Sequence, residues 1–219
     1  MDPDRAFDPA FDPAFDPAFD GALDPATGLL AVAMAAIAPA DWSTFAAAAA
    51  AAQDRALPRA EWEEALLQAT LFFGFPRVVT AFERLAAAWP APAPPAGGDV
   101  PEGAQAERGR ALFAAIYGRN DGAVRDLLAS FHRAFHDFVL EAAYGRILSR
   151  PGLSPLRREL LAIAALTALD QVPQLVAHGR GAMTFGAPAG AVRAAILAAG
   201  VAEARADELL RRVLGGGRG

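Results

Sequence analysis

Two stretches of the chain are apolar on every side. Residues 28–40, GLLAVAMAAIAPA, and residues 160–169, LLAIAALTAL, hold almost no polar position, which predicts helices buried all round. Elsewhere the spacing is that of helices with one buried face. Trp62, Ala65, Leu66 and Ala69 recur at core spacing, as do Val78, Val79, Phe82 and Leu85 after the break at Gly74-Phe75-Pro76. Val192, Ile196 and Leu197 form another such face, and a charged helix runs on to Val213. Asp41 or Ser43 suits an N-cap for the alanine run 46–52, and Pro58, Ser154-Pro155 and Pro188 mark further helix starts. The pattern also predicts a helix near 105–117 and one long helix from Asp121 to about Leu148, with Phe131, Phe135, Phe138 and Val139 on an aromatic face. After Leu169 the turn-like DQVPQ leads into a helix that carries His178 and Arg180 and closes at Gly186.

The two apolar runs look like copies. LLAVAMAAIA (29–38) parallels LLAIAALTAL (160–169), and LPRAEWEEALLQA (57–69) parallels APAGAVRAAILAA (187–199), with a break and a second helix between them in each half. On this alignment Gly28 stands where Glu159 stands, and the alanine run stands where His178 stands. Residues 90–104, PAPAPPAGGDVPEGA, are too rich in Pro and Gly for regular structure. The organisation expected is a low-complexity arm over 1–27, a first unit over 28–89, a linker over 90–104, a second unit over 105–213 and a Gly-rich tail over 214–219. Within the arm, FDPA recurs at Phe7, Phe11 and Phe15, with a degenerate copy at Phe19. Proline every fourth residue forbids a regular helix there. The arm reads either as a disordered tail or as an extended segment whose Phe side chains dock on a neighbouring subunit.

Composition sharpens the class. Hydrophobic residues make up 54% of the 219, alanine dominates and β-branched residues are sparse, so an all-α fold is expected. All 20 basic residues are Arg, spread rather than clustered, and the formal net charge is -5. A nucleic-acid partner would need a basic stripe. The absence of Cys excludes disulfides, thiolate metal sites and thiol redox chemistry. No unbroken apolar run reaches the ~18–20 residues of a membrane helix. The acidic N-terminus lacks the basic n-region of a secretory signal. The cytoplasm is the expected location, with neither membrane nor nucleic acid as a partner.

Three stretches of the second half carry a family resemblance. Tyr144-Gly-Arg-Ile-Leu-Ser-Arg-Pro-Gly-Leu153, Arg158-Glu-Leu-Leu-Ala-Ile-Ala-Ala-Leu-Thr-Ala-Leu169 and His178-Gly-Arg-Gly-Ala182 are similar to successive elements of the carboxymuconolactone decarboxylase family, which also contains the AhpD-like alkylhydroperoxidases. In the first half, Leu66-Leu-Gln-Ala-Thr-Leu-Phe-Phe-Gly-Phe-Pro76 resembles the family's closing helix and turn. The resemblance implies an AhpD-like helical bundle, here two tandem copies, assembled as a dimer or trimer of tandem chains. In the peroxidase branch a Glu is followed, after eleven residues, by Cys-x-x-Cys and then, after three more, by His. Here Glu159, Gln171, Gln174 and His178 take that spacing. Glutamine forms no thiolate, so the thiol cycle is impossible. The decarboxylase branch, a lyase, is implied to use no metal or organic cofactor and to act on a small carboxylate-bearing lactone. Such chemistry wants cations for the carboxylates and a general acid for the carbon that loses CO2. Arg180 and Arg146 answer the first need and His178 the second. The sequence departs from the family pattern at Arg146 and Gln174, where Glu is expected.

The candidate site is therefore His178 and Glu159 as a proton-handling pair, with Arg180, Gln174, Gln171, Tyr144 and Arg146 toward substrate. Each also has a plainer reading. His178 can be an imidazole bonded to backbone or solvent, Glu159 a carboxylate at a helix start favoured by the dipole, and Arg180 a surface pairing group. Gln174 lies one turn before His178 and can orient its ring. Tyr144 either lines a pocket or packs. His132 and His136 share an i,i+4 face as metal ligands do, but no further His/Cys cluster joins them, and no metal is expected. The alternative to an enzyme is a non-catalytic oligomeric scaffold or small-molecule binder.

Overall fold

The computed structural model of the protein describes residues 21–90 and 101–215, and every regular element among them is helical. The order is α1 (Pro25–Ile37), α2 (Trp42–Asp54), α3 (Arg59–Ala88), α4 (Glu102–Tyr117), a short 3-10 turn, α5 (Asp121–Phe131), α6 (Arg133–Phe138), a π-helical segment (Val139–Leu148), α7 (Pro155–Ala168), α8 (Val172–Thr184), α9 (Ala189–Leu197) and α10 (Glu203–Leu214). The all-α class expected from composition holds. The FDPA copies and most of the linker lie outside the described residues.

The helix ends follow their caps. Asp24 accepts from the Thr27 amide with Pro25 in the first turn, and Ser154 accepts from the Arg157 amide with Pro155 in the first turn. Asp41, rather than Ser43, caps α2. Helix α1 thus begins three residues before position 28, inside the stretch assigned to the arm, and α4 begins inside the stretch assigned to the linker. Pro58 and Pro188 sit at the N-cap positions of α3 and α9. Gly74, at φ 70° and ψ 171°, breaks α3 where the sequence placed a break. The stretch around that break has a mean hydropathy of 1.4, enough by length and composition to cross a membrane. Its helical ladder is nevertheless interrupted, and Trp62, Leu66, Val78 and Leu85 of the two halves are buried in protein.

The expected long helix from Asp121 to Leu148 is not continuous. His132 is extended (φ -169°, ψ 129°) and caps α6 with its own ring, and beyond Phe138 the backbone winds as a π-helix. The expected aromatic face is also not packed inward: Phe131, Phe135 and Phe138 are exposed, as are Val79 and Phe82 on α3.

The core lies where α1 and α7 pack on each other, with α2 and α3 around α1 and with α8, α9 and α10 around α7. Backbone landmarks recur at one spacing. Ala40 and Asp170 are left-handed (φ 63° and 54°), as are Ala56 and Gly186 (φ 52° and 97°), and the members of each pair lie 130 residues apart. The caps Asp24 and Ser154, and Pro58 and Pro188, keep the same spacing. At this spacing Leu29, one residue beyond Gly28, lies 130 residues before Glu159, and Ala48 lies 130 residues before His178. Alanine-rich segments match in several registers, whereas left-handed residues and caps are fixed by backbone geometry.

An arginine network ties the halves together. The Glu64 carboxylate on α3 accepts from Arg150 at 2.9 Å and from Arg158 at 2.9 Å. Gln68 donates to the Arg158 carbonyl at 2.8 Å. Arg158 is almost fully buried, which lowers its pKa, and the Glu64 charge works against that fall. Arg157 donates to Thr27 Oγ1 at 2.7 Å and pairs with Asp24 and Glu61.

Candidate functional site around Glu159 and His178

The apolar run of α7 leaves one carboxylate, Glu159, in its first turns, and α8 returns antiparallel to bring His178 against it. His178 Nδ1 lies 2.9 Å from Glu159 Oε2, and the two residues are 7% and 2% exposed. Burial lowers the imidazole pKa, but the Glu159 charge and hydrogen bond together outweigh it, so the net shift is upward. The contact with Glu159 thus favours the protonated form of His178. With Nδ1 held by the carboxylate, Nε2 makes no hydrogen bond among the described residues and is the nitrogen left for chemistry.

The close approach of α8 depends on Gly181. A Cβ at that position would lie 2.5 Å from Glu159 Oε2 and 3.1 Å from Ile116 of α4, so only glycine leaves room for the carboxylate between α7, α8 and α4. The Phe72 ring from α3 meets the His178 ring edge to face, with centroids 6.4 Å apart. Residues of four helices, from both halves of the chain, therefore converge on the pair.

A second polar pair stands beside it. Tyr144 Oη donates to Tyr117 Oη at 3.2 Å, and Phe113 packs on both rings, stacked on Tyr117 at 4.3 Å and edge-on to Tyr144 at 4.7 Å. Burial raises both phenol pKa values, and the negative charge of Glu159 raises them further, so both stay neutral proton donors at ordinary pH. Tyr144 lies in the π-helical segment, a geometry often found at functional sites.

Of the residues expected from sequence, the structure brings together Glu159, His178 and Tyr144. Gln171, at the N-cap of α8, and Gln174 on α8 are exposed, and Arg146 is exposed on the π-helical segment. The carboxylate, rather than Gln174, holds the His178 ring. Arg180 turns toward the end of α10, donating to the carbonyls of Val213 at 3.3 Å and Arg212 at 3.5 Å. His132 caps α6 and His136 bonds Asp137. Tyr117, Phe72 and Gly181 escaped sequence reading. Tyr117 carried one signal, its i,i+4 spacing from Phe113 at the end of a helix.

Comparison with known proteins fits this arrangement. The chain is 33% identical over 130 residues to Peroxisomal protein 2 of Schizosaccharomyces pombe (strain 972 / ATCC 24843), an alignment covering 57% of this chain and 60% of that protein. The chain thus spans less than two thirds of that relative's length. The model of the carboxymuconolactone decarboxylase family matches residues 133–212, from α6 to α10, a segment that holds Tyr144, Glu159 and His178. On that match residues 133–212 of the chain are similar to the carboxymuconolactone decarboxylase family.

Proposed function

We propose that the protein performs cofactor-free acid/base chemistry, decarboxylation or lactone and keto-acid conversion, on a small carboxylate-bearing substrate. The buried 2.9 Å contact between His178 and Glu159 carries this reading. A charged pair held in a dry interior is costly unless it is used or compensated. His178 acts through Nε2 as general acid toward the carbon that loses CO2, or as base when deprotonated, and Glu159 fixes the ring and tunes its basicity. The neutral phenol of Tyr144 or Tyr117 supplies a further hydrogen-bond donor for developing negative charge. Arg180, two residues beyond His178 on α8, points to the end of α10 and serves as the cation for the substrate carboxylate only by leaving the Val213 and Arg212 carbonyls. Those two bonds are long, at 3.3 Å and 3.5 Å. The test is turnover of a panel of lactones and small keto-acids. His178→Ala should abolish it while far-ultraviolet circular dichroism stays helical; full retained activity in that variant refutes the assignment.

A non-catalytic binder or scaffold is the second reading, favoured by the closed burial of His178 and by Gln at positions 171 and 174. It predicts ligand-induced thermal stabilisation without turnover. We also propose that the halves are tandem copies of one unit, with a site retained only in the second, and that the chain forms homo-oligomers. For location, the cytoplasm expected from sequence and the peroxisome named for the Schizosaccharomyces pombe relative are the two compartments that immunolocalisation would distinguish.

A further inference from the structure

Helices α5 and α6 contain no buried residue. Val124 and Leu128 lean on the Phe113–Tyr144 cluster, but Leu127, Phe131, Phe135 and Phe138 keep between 47% and 65% of their surface exposed. A single exposed apolar side chain is ordinary; four large ones within twelve residues form a patch that calls for a cover.

The chain contains a segment of suitable chemistry. Residues 1–20, outside the described structure, place Phe7, Phe11, Phe15 and Phe19 at a four-residue interval. They also hold six of the 25 acidic residues and one of the 20 arginines, which leaves 19 of each in the rest of the chain. The entire formal charge of -5 therefore resides in this arm, and the body is balanced. Where the arm joins the body it is anchored: Leu23 packs on the core of the second half, and Asp24 is bonded by Arg157 at the start of α7. Helix α7 follows directly on the π-helical segment into which α6 leads. The fourteen residue-to-residue steps from Phe7 to Gly21 can extend ~46–50 Å. A compact chain of this length has a radius of gyration of only ~17 Å, so the arm can reach across its own body.

We propose that the FDPA arm lies across the Leu127–Phe138 face of its own chain, with its Phe side chains on the apolar stripe. Its Asp side chains face Arg133, which pairs with Asp137 at 3.2 Å and still keeps its side chain 80% exposed. The other unpartnered apolar face, on α3, lies on a different element and does not enter this assignment.

Photo-crosslinking in the full-length protein tests the contact. With p-benzoylphenylalanine in place of Phe11, irradiation of dilute protein should give a product of single-chain mass, crosslinked within residues 124–146. A product of two-chain mass, attachment to α3, or no crosslink to the body overturns the proposal. A second measurement needs no change in the folded body. Replacing Phe7, Phe11, Phe15 and Phe19 by Ser in the full chain should speed tryptic cleavage after Arg133 about tenfold, the response to a loss of cover of one decade in equilibrium. An unchanged cleavage rate also overturns it.

Discussion

At the scale of single residues the site rests on one carboxylate and one imidazole meeting in the interior. The folded pKa of His178 lies above its unfolded value of about 6.5 because Glu159 outweighs the effect of burial. The stability contributed by protonated His178 is complete below that unfolded value and is lost as pH rises through the folded one. The urea midpoint should therefore fall with rising pH in that window, and Glu159→Gln should flatten the fall; an equally steep decline in the variant would assign it to other groups. Gly181→Ala is a sharper probe, since the added methyl must displace Glu159 Oε2. It should destabilise the fold by roughly 1–3 kcal/mol and remove the pH dependence, as read by the same titrations. Sequence spacing made the Glu159–His178 pair legible because both sit at the edges of apolar runs, where a charge stands out. Tyr117 did not stand out, because its bond to Tyr144 joins helices 27 positions apart in sequence. Gln171 and Gln174 were singled out by family spacing, which fixes position along α8 but not which face meets the core.

At the scale of elements, caps and breakers located most helix starts. Asp24, Asp41 and Ser154 act through short-range bonds that sequence displays directly. Asp24→Ala should cost about 1 kcal/mol, measured by denaturant unfolding. The arginine network was not legible, because Glu64 and Arg150 pair across 86 positions. Glu64→Gln leaves Arg150 and the buried Arg158 without their shared carboxylate. A loss of about 3 kcal/mol is expected from an uncompensated buried charge, against a near-neutral effect for the exposed Glu83 on the same helix. The long helix expected over 121–148 failed for a local reason: the chain turns at His132, a residue with no helix-breaking reputation, whose ring takes the N-cap role itself. The aromatic face was read as core because periodicity reports amphipathicity and is silent on what covers the apolar side.

At the scale of the whole molecule, composition settled the helical class, and the recurrence of turns at one spacing supports the tandem reading. On the tandem reading the second part of α3 is the counterpart of α10, each following a left-handed glycine, Gly74 and Gly200, although these two lie 126 rather than 130 residues apart. The outer side of α10 carries Glu203, Asp207, Glu208, Arg211 and Arg212, whereas α3 exposes Phe75, Val79 and Phe82. That contrast supports a second copy docking on α3. Phe82→Arg should lower the mass measured by sedimentation equilibrium while leaving the helical content intact; an unchanged mass would move the contact elsewhere. On the tandem reading, Arg157 and Thr27 are counterparts that touch each other, which places them on the axis relating the halves. In an assembly of identical single units, whatever residue occupied that spot would face its own duplicate, and two guanidinium groups there would repel. Joining the units in one polypeptide lifts that restriction, so a hydroxyl can answer a cation, and the seam between the halves can diverge without a compromise between self and twin.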